Sequence, residues 1–174
     1  IKKIMKSSKN IVFLGMMGSG KTSIGFLVSK KLNLDFFDID KQIEDELGMK
    51  ISNIFDNKGE KFFRDYEEKT SLDILKKKNV IIALGGGAFI NKNIRNEVIK
   101  NHLSFWLKLK SDILIKRIKN SAKRPLAINS SNNDLKNMIK ERSKFYSKAM
   151  FNIDCNNKSK SEIVNKIINI YEDN

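Results

Sequence analysis

The chain reads as an α/β fold, a five-stranded parallel sheet with helices on both faces, and three observations predict it. Five short apolar runs rich in β-branched and aromatic residues recur along the 174 residues, at 11–14, 34–38, 80–84, 104–109 and 151–155. Helical apolar patterns fill the gaps, and alternating strands and helices imply parallel pairing with both sheet faces covered. A glycine-rich stretch joins the first strand to the first helix, where open α/β sheets bind ligands. At this length a single domain spanning 1–174 buries a core without disulfides or a structural metal.

The first strand, Ile11-Val12-Phe13-Leu14, is apolar throughout, as a central parallel strand should be. It leads into Gly15-Met16-Met17-Gly18-Ser19-Gly20-Lys21-Thr22, which fits GxxxxGK[ST] in the strand-to-helix setting that gives the motif meaning, a P-loop. Glycines let the backbone curl until its N–H groups and the helix N-terminus face one point and bind a phosphate chain. A glycine-rich turn that binds nothing is the alternative, and spacing, lysine, hydroxyl and context all speak against it. Lys21 would neutralise the β- and γ-phosphates, and Thr22 would offer its hydroxyl to Mg²⁺.

The first helix runs from the P-loop to about Leu32, and a second from Asp40 to Leu47 stops at Gly48. A long helix from Glu60 to about Lys77 repeats Phe63, Tyr66, Thr70 and Ile74, and Lys76-Lys77-Lys78 falls at its end, where the helix dipole favours cations. Residues 121–133 break the rhythm: they are polar, hold the only proline, Pro125, preceded by Lys123 and Arg124, and read as a mobile lid or loop. The helix that follows carries Leu135, Met138, Ile139, Phe145, Tyr146 and Ala149 on one face. The last opens on a capping box, Ser159 to Glu162, and buries Ile163, Val164, Ile167, Ile168 and Tyr171.

Composition narrows the partners. One cysteine, Cys155, and one histidine, His102, leave no disulfide and no Cys/His metal cluster, and both read as packing or surface residues. No run is long enough to span a membrane, and residues 1–10 lack the apolar core of a signal peptide, so the expectation is a soluble cytoplasmic protein. The start at Ile1, with Met5 close behind, reads as trimmed or numbered from within a longer chain. The net charge of +14 comes from lysines spread along the chain rather than gathered in a stripe, which argues against nucleic-acid and membrane partners.

Four groups of polar or glycine residues stand where packing alone does not want them. Asp38 and Asp40 flank the end of the second strand, where carboxylates reach a metal or a substrate hydroxyl; Asp40 as a mere helix cap is the alternative. Arg142 falls on an apolar helix face and needs an anion, either Glu141 or another internal carboxylate, or a substrate carboxylate or phosphate. Arg64 has Glu60, Glu67 and Glu68 within a helical turn, which can neutralise it or hold it in place. Gly85-Gly86-Gly87 follows the third strand, exposing backbone N–H groups and permitting close approach at the sheet edge that holds the P-loop; a simple loop is the alternative.

Together these residues resemble shikimate kinase, a family within the nucleoside-monophosphate-kinase-like P-loop group. The likeness runs from about Asn10 to Tyr171 through five ordered motifs. They are the P-loop, Asp38-Ile39-Asp40, Gly59-Glu60-Lys61-Phe62-Phe63-Arg64 with Glu67, Gly85-Gly86-Gly87, and Arg124-Pro125 followed by Glu141-Arg142 with Tyr146. The resemblance implies a three-layer P-loop kinase fold that phosphorylates the 3-hydroxyl of shikimate with ATP and Mg²⁺. It implies an acceptor region over about 38–67 and a lid over about 119–133. Gly18, Ser19, Gly20, Lys21, Thr22 and Ser23 would bind ATP, with Arg117 against adenine and Arg124 swinging in to the transferring phosphoryl group. Asp40 would orient or deprotonate the hydroxyl. Arg64, Arg142, Gly85, Gly86 and Gly87, walled by Phe55 and Phe63, would hold shikimate, with Glu67 supporting Arg64. Thr22 and, through water, Asp38 would position Mg²⁺.

Two departures touch the lid: Ala127 stands where many relatives carry a larger aliphatic, and the Ser/Asn-rich tip is unusual. Nothing is carried over to the adenine loop near Asn156 and Asn157. A monomer acting on two small molecules, ATP and shikimate, is expected. A related kinase acting on gluconate or a nucleoside monophosphate, and a regulatory nucleic-acid-binding P-loop protein, are the competing readings. The second leaves Asp40, Arg64 and Arg142 as coincidence.

Overall fold

Five parallel strands, β1 (Ile11–Leu14), β2 (Asp35–Asp38), β3 (Val80–Ala83), β4 (Leu103–Lys108) and β5 (Phe151–Asp154), form one sheet in the order β2-β3-β1-β4-β5. This is the architecture of the computed structural model, which describes residues 9–121 and 129–174. β1 lies between β3 and β4, with Val12 opposite both Ile82 and Ser104. Chain order reverses direction across the sheet at β1, so a crevice opens beyond its carboxyl end, where the P-loop sits. β1 and β3 are buried along their whole length, which is why they read as unbroken apolar runs, whereas the edge strand β2 keeps Asp35 exposed.

The helices are α1 (Lys21–Leu32), α2 (Ile39–Leu47), α3 (Ile51–Leu75), α4 (Lys92–Asn101), α5 (Ser111–Lys119), α6 (Asn132–Tyr146) and α7 (Lys160–Glu172), with a 3₁₀ turn at Ala88–Ile90. The capping box expected at Ser159 and Glu162 is present, and Ile163, Val164, Ile167 and Tyr171 are buried, Ile168 only partly. On α6, Leu135, Ile139 and Tyr146 are buried, Ala149 is buried just beyond the helix, and Met138 and Phe145 pack at its margin. Asn10 ties the start of β1 to the end of α3, donating to the Leu75 and Lys77 carbonyls while accepting from the Val80 N–H.

Three boundaries correct the sequence reading. The long helix starts at Ile51 rather than Glu60, because Gly59 (φ 83°, ψ 165°) kinks a helix that continues on either side; the start expected at Glu60 is an internal break. It ends at Leu75, with Lys76 capping it and paired to Asp73. The second helix begins at Ile39, and its cap is Asp38, which accepts the Lys41 N–H, so the cap reading of Asp40 is wrong. Residues 122–128 of the expected lid, including Lys123, Arg124, Pro125 and Ala127, lie outside the described residues. Lys119, at the end of α5, donates to the Ser130 carbonyl just before α6.

Candidate active site

The P-loop wraps one point. Gly15 (φ 143°), Gly18 (φ 78°) and Gly20 (φ 98°) all adopt conformations that L side chains resist, and this turns the loop back on itself. α1 begins at Lys21 with no side-chain cap and no acidic residue in its first turn, so its N-terminal N–H groups and dipole are left for an anion. Lys21 is buried and donates from Nζ to the carbonyls of Gly15 (2.8 Å) and Met16 (3.1 Å). Thr22 Oγ1 donates to Asp38 Oδ2 at 2.5 Å, joining the start of α1 to the end of β2. Ser19 Oγ is buried, with no hydrogen-bond partner among the described residues.

A cleft of about 460 Å³ opens over this loop, lined among others by Gly18, Gly20, Lys21, Thr22, Ser23, Asp38, Asp40 and Arg117. Arg117 is exposed and donates to the Gly18 carbonyl at 3.1 Å, so it stands at the outer edge of the P-loop. Ser121, the first residue of the expected lid segment, also lines the cleft, as do Leu84 and Lys160, which no sequence motif marks. Lys160 opens α7, and only its place after the last strand could have signalled it. Asn156 is used structurally, accepting from the Lys110 N–H and donating to Asp154.

Beside the cleft, charged side chains converge on the three glycines. A Cβ on Gly85 would stand 2.5 Å from Glu67 Oε1 and 2.7 Å from Asp40 Oδ1. On Gly87 it would stand 2.6 Å from Arg64 Nη1, and on Gly86 3.5 Å from Arg142 Nη1. None of the three has positive φ, so the case for glycine rests on space: at Gly85 and Gly87 a Cβ would force a neighbour to shift, whereas at Gly86 the approach of Arg142 is ordinary contact. The expectation of room for a ligand thus changes: much of that room is filled by the protein's own carboxylates and guanidiniums. The turn's hydrogen bonds run from the Ala88 N–H to the Gly85 carbonyl and from the Ile90 N–H to the Gly87 carbonyl, and use neither the Gly86 nor the Gly87 N–H.

Arg64 is held from two directions. Its Nη1 donates to Glu67 at 2.7 Å and its Nε to Glu60 at 3.4 Å, while the guanidinium lies over the Phe63 ring, 5.2 Å from the centroid, and near Phe55 at 6.0 Å. The two rings stand 4.7 Å apart, forming one aromatic wall. Glu68 is not an Arg64 partner; it accepts from Asn91 and Asn93 at the start of α4. Burial raises the Glu67 carboxyl above its ordinary range, against the downward pull of Arg64 and with Asp40 adding to the rise. Glu141 pairs with Lys144, and Arg142, half-buried, points Nη1 toward Met16 Sδ at 3.9 Å. Met16 is a P-loop neighbour of the arginine that its sequence position gave no reason to expect.

The remaining titratable candidates lie apart from this chemistry. Cys155 is buried with its thiol pushed up to about 11 by burial, and His102 is buried against Glu97 with burial lowering its pKa. Among the described residues no group of three or more His, Cys, Asp or Glu gathers around a metal position, and no helix is long and apolar enough to cross a membrane.

The arrangement is a phosphate-binding loop beside a pocket edge with two arginines, two carboxylates and an aromatic wall, suited to a small anion that carries hydroxyls. The sequence model of the family described as shikimate kinase matches residues 17–172. A shikimate kinase of Thermodesulfovibrio yellowstonii is 40% identical over 165 residues, covering 94% of this chain and 95% of that one. The structure of an Acinetobacter baumannii shikimate kinase in complex with shikimate superposes with a TM-score of 0.89 at 27% identity, covering 97% of this chain and 95% of the other. That of the Aquifex aeolicus enzyme gives 0.82 at 33% identity, covering 91% and 94%. With fold and sequence in agreement over nearly its whole length, this chain belongs to the shikimate kinase family.

Proposed function

We propose that the chain transfers the γ-phosphoryl group of ATP to the 3-hydroxyl of shikimate, giving shikimate 3-phosphate and ADP. The observation that carries this reading is the convergence of Asp40, Glu67, Arg64 and Arg142 on three successive glycines beside the P-loop. A nucleotide acceptor, whose phosphate arginines also bind, explains two arginines and an aspartate on one turn less well. A small carboxylate with ring hydroxyls explains them better, because guanidinium binds such a planar anion through parallel hydrogen bonds.

The hydroxyl oxygen attacks the γ-phosphorus, its proton passes to the Asp40 carboxylate, and the bond from the γ-phosphorus to the bridging oxygen breaks, releasing ADP. Such a transfer needs mostly positioning and charge stabilisation. Lys21 and the α1 N-terminus stabilise the phosphate oxygens, with Gly18, Ser19, Gly20, Thr22 and Ser23 lining that part of the site. Arg64 and Arg142 grip the shikimate carboxylate against Phe55 and Phe63, and the Gly86 and Gly87 N–H groups bind acceptor oxygens. Arg117 lies along adenine.

Mg²⁺ fits the donor set, since the Thr22 hydroxyl and Asp38 are adjacent oxygens at the cleft and this ion takes few protein ligands, its other sites being phosphate and water. When bound it neutralises charge on the β- and γ-phosphates. The reading further takes the chain as one domain, a cytoplasmic monomer acting on two small molecules and on neither nucleic acid nor membrane. Its acceptor region spans about 38–67 and its lid about 119–133, with Arg124 meeting the transferring group.

The test is ADP release by the purified chain with ATP and Mg²⁺, measured with and without shikimate, and repeated for Asp40→Asn. Shikimate-dependent release that the amide variant loses while still binding ATP is expected. Release that ignores shikimate, or an Asp40→Asn enzyme at full rate, overturns the reading or the base in turn.

A further inference from the structure

Gly86 is where three parts of the molecule meet. A Cβ there would stand 3.3 Å from the Met17 nitrogen and 3.9 Å from the Gly15 carbonyl oxygen, so this glycine packs directly against the P-loop backbone. On its other side α6 reaches it twice, with Arg142 beside its α-carbon and, one helical turn later, the Tyr146 hydroxyl donating to its carbonyl. Tyr146 is buried, and its ring leans on Trp106 at 5.9 Å between centroids; Trp106 in turn lies 3.4 Å from where a Cβ on Gly15 would stand. The tyrosine is therefore linked to the phosphate side through Trp106 and bonded to the acceptor side through its oxygen.

We propose that Tyr146 is a positioning residue, whose hydroxyl fixes the Gly86–Gly87 peptide at a set distance from the P-loop so that acceptor and phosphoryl donor meet in line. Its bond to the Gly86 carbonyl orients the peptide plane that carries the Gly87 N–H. It thereby also sets the α6 register that delivers Arg142 to the same glycine. Deleting the hydroxyl leaves the ring and its packing in place, frees the peptide to tilt and leaves the Gly86 carbonyl without this donor.

The inference rests on the reading of the chain as a shikimate kinase, and the test separates the two. Wild-type protein without shikimate-dependent ADP release defeats that reading and leaves Tyr146 out of account. In an active enzyme, Tyr146→Phe should lose roughly tenfold in kcat/KM for shikimate, the scale of one buried hydrogen bond removed with its partner left behind. ATP affinity should hold, and ADP should be released in excess of phosphorylated acceptor as transfer and hydrolysis uncouple. Trp106 is the only tryptophan, so unchanged emission reports that the Tyr146 ring position is intact. Wild-type kinetics, an equal loss of ATP affinity, full coupling at a reduced rate, or a variant that does not fold each overturns the proposal and makes the hydroxyl a stability element.

Discussion

Replacing Gly85 with alanine tests whether the acceptor carboxylates are held where the structure puts them. Backbone strain does not enter, because Gly85 lies outside the left-handed region. The new methyl would stand 2.5 Å from Glu67 Oε1 and 2.7 Å from Asp40 Oδ1, inside the 3.0 Å that real Cβ contacts essentially never cross. Restoring ordinary contact moves both oxygens by on the order of 1 Å, a misplacement that can lower a rate about 10²-fold. Glu67 cannot simply swing away, since its side chain is 3% exposed and bonded to Arg64. Moving it therefore moves Arg64, the arginine proposed to grip the acceptor. Gly85→Ala should lose roughly 10²-fold in kcat/KM for shikimate, keep ATP affinity, and lose about 1–3 kcal/mol of stability from overpacking. Coupled ADP release, calorimetry with an unreactive ATP analogue, and thermal melting read these in turn. Gly25→Ala is the control: its Cβ would stand 2.5 Å from Phe36 Cε2, away from the glycine turn. There the overpacking is partly offset by alanine's helix preference of about 1 kcal/mol, and shikimate kinetics should not change. A Gly85→Ala enzyme with wild-type constants, or both variants behaving alike, refutes the claim that this turn seats Asp40 and Glu67.

Lys21→Ala should fold normally by circular dichroism and lose roughly 10²–10³-fold or more in kcat, because its charge is proposed to act on the transferring phosphates; a variant within tenfold of wild type removes Lys21 from that role. Arg64→Lys and Arg142→Lys should each weaken shikimate more than ATP in calorimetric titration. The loss falls toward the lower end of roughly 2–5 kcal/mol for Arg64, whose side chain stays 34% exposed. Equal losses for both ligands, or unfolding, would favour purely structural pairs with Glu60 and Glu67. Acidification should weaken shikimate binding above the ordinary glutamate range, because burial raises the Glu67 pKa and its protonation releases Arg64. The sign for folding is opposite. A raised carboxyl pKa favours the folded state below the unfolded value near 4.5, and that contribution is lost as pH rises through the folded pKa. Shikimate affinity should therefore fall in this window without a loss of melting temperature traceable to Glu67, and affinity that stays flat down to the usual glutamate range contradicts it.

Much of this was legible from the chain alone where local chemistry fixes geometry. The P-loop spacing, the apolar central strands and the capping box at Ser159 each follow from constraints within a few residues. Strand ends fell within a residue of those expected for the same reason. What remained hidden depends on meetings between distant segments. Glu60 reads as a helix start after Gly59 in sequence, and only the helical residues on both sides of that glycine make it a kink. Asp40 reads as the candidate cap in sequence, and only the helix starting one residue earlier, at Ile39, gives that role to Asp38. The glycine triplet suggested space for a ligand, but Glu67, Arg64 and Arg142 reach it from two other helices, a packing no local pattern encodes. Met16 beside Arg142 and Tyr146 on Gly86 were invisible as contacts for the same cause.

Identifying the phosphorylated product from a mixture tests the central claim most directly. The chain is given ATP, Mg²⁺ and equal amounts of shikimate, gluconate and nucleoside monophosphates, and the products are read by phosphorus NMR and mass spectrometry. The account predicts a single new phosphomonoester, on the 3-hydroxyl of shikimate, formed one for one with ADP. Phosphate on gluconate or on a nucleotide, or inorganic phosphate alone, would contradict it, since Arg64, Arg142 and Asp40 would then be grouped on the glycine turn for some other acceptor.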